Sequence, residues 1–200
     1  MCRFIDSIKV MNGRWYYPDV HNERINRTIQ AFYQIKADIR IENDVRIPVD
    51  CRSGLYKCRL VYADQIISQE FIPYQMKEVA SLKGVYDDEI SYGYKYEDRQ
   101  RLNELFSQRG SCDDVIIIRK GRVTDASYSN LVFYDGRDWV TPSSPLLPGT
   151  CRKRLLENDV IIEKAIFPED LKNFPKVRLI NAMMDFDEAP EVPVENIILA

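Results

Sequence analysis

A lysine, an aspartate and a helix start, met in that order along the chain, are the residues that could do chemistry. Lys95 lies among Tyr92, Tyr94 and Tyr96. Aromatic packing there would desolvate its ammonium, lower its pKa and leave an amine able to form and exchange imines. About thirty residues on, Asp125 sits within Gly121–Asn130, just before the apolar run Leu131-Val132-Phe133. A buried carboxylate can keep a heterocyclic nitrogen protonated, so that the ring accepts an electron pair. Pro148-Gly149-Thr150-Cys151-Arg152 then opens a helix, whose first N–H groups and dipole favour a phosphate. Arg24, one helical turn after His21, adds a guanidinium suited to bidentate phosphate contact. Each has an ordinary reading when taken singly: Lys95 stretched over aromatic faces, Asp125 in a turn, Thr150 as a helix cap, Arg24 as a solvated helix residue. In this order they are what pyridoxal 5'-phosphate needs: an amine for its aldehyde, an acid for its ring nitrogen and a cradle for its phosphate.

These residues need a scaffold, and 200 residues suffice for one large domain or two small ones. The net charge is -3 with both signs interleaved, so the basic stripe that nucleic acid requires is missing. Five cysteines are scattered and His21 is the single histidine, which leaves a zinc site without ligands and suits a reduced, cytoplasmic protein. Charges at Arg3 and Asp6 interrupt any leader-like run, and nothing approaches a membrane span. The chain is therefore expected to be soluble and unexported, with no nucleic-acid or membrane partner.

The patterning predicts a hairpin from Phe4 to Tyr17 about Asn12-Gly13, then a helix capped by Asp19 and running to about Lys36, with Ile25, Ile29, Phe32 and Tyr33 inward and His21 and Arg24 elsewhere on the wheel. Loop and short structure fill 37–53, strands follow at 56–63 and 65–71, and Pro73 marks a linker. Beyond it come a weak strand at 79–86, a helix at 97–109, strands at 114–119, 131–134 and 139–141, a helix at 150–158, a buried strand at 160–166 and last strands at 177–182 and 196–199. The class is α+β, with a small domain at 1–72 and a second at 73–200 carrying Lys95 and the phosphate turn.

The ordered motifs resemble the class IV aminotransferases, the D-amino acid aminotransferase-like enzymes of fold type IV, which include branched-chain aminotransferases and 4-amino-4-deoxychorismate lyases. The resemblance runs through the opening strand and turn, His21-x-x-Arg24, Lys95, Gly121-x-Val123-x-Asp125, Ser129-Asn130, Thr141-Pro142 and Leu147-x-Gly149-Thr150-Cys151-Arg152. It implies that Lys95 carries the cofactor, that Arg24 and the turn Gly149-Thr150-Cys151 hold its phosphate, that Asp125 serves its ring nitrogen, and that Ser129 and Asn130 bind the cofactor too. Asn181-Ala182-Met183-Met184 is similar to the N-A-L-M stretch of the lyases, and Ser7 falls where that branch has a threonine implicated in proton transfer. Measured against the family, the chain starts late, Asp125 replaces glutamate, and Cys151 replaces a threonine hydroxyl. The resemblance further implies a cofactor cleft between two domains and a homodimer. Three functions follow in order: a lyase giving 4-aminobenzoate and pyruvate, a class IV aminotransferase, or a non-catalytic member. With no second histidine, the branched-chain type of transamination is favoured over the D-amino acid type.

Overall fold

A computed structural model describes residues 2–199. Contacts divide the chain into one unit reaching Met76 together with Tyr94–Asp98, and a second made of Lys77–Gly93 and the residues from Arg99 onward. The division falls after Met76, and the segment holding Lys95 pairs with the opening strand and so belongs to the first unit, not to the second as expected.

In the first unit, β1 (Phe4–Met11) turns through Asn12 and Gly13, at φ 49° and 74°, into β2 (Arg14–Trp15). Helix α1 (Pro18–Tyr33) follows, then the short α2 (Ile41–Asp44), β3 (Leu55–Tyr62) and β4 (Ile66–Pro73). The antiparallel sheet has the order β2-β1-β3-β4. Alternation sends Phe4, Ile8 and Val10 of β1 and Cys58, Leu60 and Tyr62 of β3 to one face, where they pack with Ile25 and Ile29 of α1. The helix begins two residues earlier than expected: Tyr17 is the N-cap, Pro18 occupies the first turn, and Asp19 lies within that turn. Phe32 is 39% exposed rather than inward.

The register of β1 also sorts the polar residues. Asp6 shares the buried face with Phe4 and Ile8, whereas Ser7 lies opposite Arg59 and Lys9 opposite Lys57 on the other face. Along the free edge of β1, Phe4 pairs with Tyr96, the Ile5 N–H donates to the Lys95 carbonyl at 2.8 Å, and the Glu97 N–H donates to Arg3 at 2.9 Å. That pairing puts Tyr94 and Tyr96 with Phe4 and Phe32 in one aromatic cluster. Lys95, opposite Ile5, takes the other face, the one that bears Ser7 and Lys9.

The second unit is built on β5 (Leu82–Tyr86), α3 (Gln100–Ser107), β6 (Asp114–Arg119), β7 (Arg122–Ala126), β8 (Asn130–Tyr134), β9 (Trp139–Pro142), α4 (Thr150–Glu157), β10 (Ile162–Lys164), β11 (Lys176–Ile180), β12 (Glu191–Pro193) and β13 (Ile197–Ile198). Its sheet runs β10-β9-β8-β7-β6-β5-β13, with β11 joined to β8 and β12 to β11. Ile116, Val123, Leu131, Phe133 and Val177 form its main core. The buried strand expected over 160–166 is instead a three-residue edge, exposed throughout. Among the described residues it pairs with β9 alone, and the apolar anchors Ile161 and Ile166 are buried just outside it. No helix among the described residues is long and apolar enough to cross a membrane.

Candidate functional site

In the first unit a carboxylate is buried between a guanidinium and an imidazole. Asp6 Oδ2 accepts from Arg24 Nε at 2.9 Å, and Asp6 Oδ1 accepts from Arg24 Nη2 at 2.7 Å. His21 Nδ1 lies 2.7 Å from Asp6 Oδ1, and the Ser7 N–H reaches that same oxygen at 2.7 Å. All three side chains are buried, with Asp6 fully so. Burial alone would raise the Asp6 pKa, but Arg24 and His21 more than offset it and hold the group well below the usual carboxylate range. Arg24 is thus fixed by a two-point fork at the sheet face of α1 rather than solvated. Sequence reasoning missed Asp6. Its signal was parity: an acid in step with Phe4, Ile8 and Val10 must go inside, and an inside acid needs a cation.

Lys95 and Ser7 stand on the opposite face of β1, half-buried, together with Lys9, Lys57 and Arg59. Cross-strand neighbours on one face are about 5 Å apart at Cβ, and i, i+2 neighbours about 7 Å. Ser7 is therefore one step along the face from Lys95, with Arg59 beside it. Lys9 is 4% exposed, its ammonium over the Tyr16 ring at 4.9 Å from the centroid. Arg59 reaches Glu97 at 3.4 Å. Two lysines directly across an antiparallel pair repel, so this face favours anions.

The second unit places Asp125 on β7 and Asn130 on β8, directly paired. Asp125 Oδ1 accepts from Asn130 Nδ2 at 2.7 Å, and Oδ2 accepts from the Leu147 N–H at 2.9 Å. Burial pushes the Asp125 carboxyl up to about 6, against the pull of the Leu147 and Leu146 N–H groups, Asn130 and Arg152. Gly149 caps α4, the position expected of Thr150. Its N–H donates to Asn130 Oδ1 at 3.1 Å, and an added Cβ would stand 2.2 Å from that oxygen. Thr150 and Cys151 begin the helix, both 5% exposed. The Cys151 side chain joins the apolar cluster of Val132, Leu155 and Ile180, so a ligand at this turn would meet its backbone rather than its thiol. Ser129, half-buried, lies 3.3 Å from Asn181 Nδ2, which brings the Asn181–Met184 stretch beside the Ser129-Asn130 pair.

Two residues of the quoted motifs are structural. Arg152 donates to the Pro142 carbonyl at 2.8 Å and pairs with Glu163 at 2.5 Å, pinning α4 to the strand end. The Thr141 hydroxyl donates to the Leu131 carbonyl at 2.8 Å.

The family model for class IV amino-transferases matches residues 99–189. An uncharacterised protein of Haemophilus influenzae is 37% identical over 186 residues, spanning 92% of this chain and 98% of its own. A structure from Haemophilus somnus 129pt, provisionally designated a 4-amino-4-deoxychorismate lyase, is similar at 35% identity and TM-score 0.85, covering 92% of this chain and 97% of that one. The chain belongs to the class IV aminotransferase family. It has the fold of type IV pyridoxal phosphate enzymes and is such an enzyme by family. A hypothetical aminotransferase of Mycobacterium tuberculosis in its pyridoxal phosphate-bound form shares the fold, with TM-score 0.78 at 17% identity over 96% of this chain and 80% of that one. This chain spans 98% of the Haemophilus influenzae protein and 97% of the Haemophilus somnus one.

The donor set suits the family's cofactor. A buried carboxyl raised towards neutrality would gain a proton-bearing partner in a ring nitrogen. A glycine whose Cβ has no room precedes a helix start able to take a phosphate. As a class IV aminotransferase, the chain departs from the family at Asp125 and Cys151. The first shortens the acid by one methylene, and the second puts a thiol into the apolar cluster of Val132, Leu155 and Ile180.

Proposed function

We propose that this class IV enzyme is a lyase acting on 4-amino-4-deoxychorismate, releasing pyruvate and giving 4-aminobenzoate, a folate precursor. One observation supports the lyase over transamination of apolar amino acids: the face of β1 and β3 that carries Lys95 and Ser7 also carries Lys9, Lys57 and Arg59. That substrate has two carboxylates, and cations on the face that presents the reactive amine would hold them. A branched-chain side chain would gain nothing there. The likeness to the Haemophilus somnus protein points the same way.

Pyridoxal phosphate, when bound, supplies an aldehyde for amines and a ring that takes up an electron pair. The rest falls to the chain. In this reading Lys95 would hold the cofactor, and its amine would take the proton from the substrate carbon. Asp125 would keep the ring nitrogen protonated, and Thr150 with the Gly149–Cys151 backbone would hold the phosphate. Arg24 stays on Asp6, on the face of β1 away from Lys95, and anchors α1 to that strand. Ser7, one step from Lys95 on the same face, passes a proton to the departing enolpyruvyl group.

Incubation with aminodeoxychorismate should release 4-aminobenzoate and pyruvate in equal amounts, and Ser7→Ala should lower kcat about 100-fold, the scale of a lost general acid. Borohydride trapping should label Lys95. Wild-type protein that releases neither product but converts branched-chain amino acids with 2-oxoglutarate would replace the lyase with an aminotransferase; label on Lys57 or Lys83 would reject Lys95. We further propose a homodimer, from exposed apolar residues such as Tyr17, Ile35 and Ile67. Sedimentation at micromolar concentration should give twice the 23.5 kDa of one chain, and a monomer mass would overturn this.

A further inference from the structure

Asn130 is buried on β8, and both N–H bonds of its side-chain amide are in use. Nδ2 donates to Asp125 Oδ1 at 2.7 Å and to the Leu147 carbonyl at 2.9 Å, while Oδ1 accepts from the Gly149 N–H at 3.1 Å. The Leu147 N–H meanwhile donates to the second Asp125 oxygen at 2.9 Å. Four hydrogen bonds thus close between β7, β8 and the segment 147–149 that leads into α4. A primary amide has two donors and one acceptor oxygen, and each here faces a group of the opposite kind. The packing is as tight as the bonding, since a Cβ on Gly149 would stand 2.2 Å from Asn130 Oδ1.

We infer that Asn130 is a positioning residue, not a cofactor ligand: its amide clamps the turn before α4 to Asp125, and so sets the phosphate cradle in register with the carboxylate that serves the ring nitrogen. This rests on the proposed reading in which that turn holds the phosphate and Asp125 the ring. A side chain whose donors are already committed to Asp125 and Leu147 has none to offer a cofactor without breaking the clamp. Its position explains why an asparagine, and not a serine or an aspartate, suits the site. Serine is too short to span the three partners, and aspartate would set a second carboxylate against Asp125.

The two roles separate when the cofactor is divided into its parts. Apoprotein is titrated with inorganic phosphate alone and, separately, with pyridoxal, which has the ring and aldehyde but no phosphate. A clamp predicts that Asn130→Ala weakens inorganic phosphate about tenfold, the equivalent of one positioning hydrogen bond. Weaker pyridoxal binding with unchanged phosphate binding would instead mark a ring ligand and overturn the clamp. Gly149→Ala should weaken phosphate strongly in the native background and add little in Asn130→Ala, because the methyl then has no amide oxygen to strike; additive losses would overturn the inference. If Asn130→Ala does not fold, Gly149→Ala alone gives the same contrast between phosphate and pyridoxal, and equal losses of the two would count against the clamp. Wild-type protein that binds neither probe would overturn the cofactor reading itself, whereas wild type that binds both, with Asn130→Ala indifferent to phosphate, overturns the clamp alone.

Discussion

Asp6 in the first unit and Asp125 in the second are both buried, 0% and 6% exposed, yet their affinities for a proton are driven apart. Burial raises both. Asp6 then meets a full guanidinium at two points and a histidine, and is held ionised. Asp125 meets N–H groups of a side-chain amide and the backbone, with Arg152 acting only at longer range, and burial prevails. Depth does not decide the charge of a buried acid; the formal charge of its nearest donors does. The ionised acid anchors a strand to a helix, and the acid near neutrality is the one suited to share a proton with a ring nitrogen.

The sharpest way to break this contrast is Asp6→Asn. It leaves Arg24 buried beside a neutral amide, and should cost about 3–5 kcal/mol in urea unfolding at neutral pH, as expected for one half of a buried pair. A loss below about 1 kcal/mol would mean that water screens the pair. Next comes the pH dependence. Because the folded pKa of Asp125 lies above its ordinary value of 3.8, at about 6, the native state binds this proton more tightly than the unfolded chain does. Apoprotein should therefore lose up to about 3 kcal/mol as pH rises from 4 to 7, a loss that Asp125→Asn removes. Asp6 has the opposite sign: its folded pKa is depressed, so its contribution is complete above about pH 4 and fades as pH falls further. Thermal denaturation of wild type, Asp125→Asn and Asp6→Asn across pH 3–8 reads both. The smallest effect belongs to His21→Ala, which removes one contact and keeps the Arg24 fork; about 1–2 kcal/mol is expected. A cost matching that of Asp6→Asn would make the histidine, not the arginine, the principal partner.

Much of the scaffold was legible because it depends on local rules. Asn12-Gly13 demanded a left-handed turn, Ile25 and Ile29 demanded a covered helix face, and the Gly149–Arg152 tetrapeptide demanded a helix start. Local rules failed at Ile161–Ile166, where an apolar run reads as a buried strand although its centre is an exposed sheet edge. They failed again at Tyr17, which caps the helix in a left-handed conformation where Asp19 was the expected cap. A propensity is a weak prior where the neighbouring strand or proline dictates the geometry.

The candidate site divides along the same line. The types and order of Lys95, Asp125, Ser129-Asn130 and Gly149–Cys151 were set by the sequence, because imine chemistry, ring protonation and phosphate binding each require particular groups, and their order along the chain is covalent. Which faces they occupy was not. Lys95 joins Ser7 and the cations of β1 and β3 only because its segment pairs in register with Phe4 and Ile5, and register is a long-range choice. Asp6, His21 and Arg24 form one cluster only when the strand and the helix pack, since fifteen residues separate the first from the second. Asn130 becomes a clamp only when the turn before α4 folds back onto β8, where tertiary packing alone decides which donors face which acceptors.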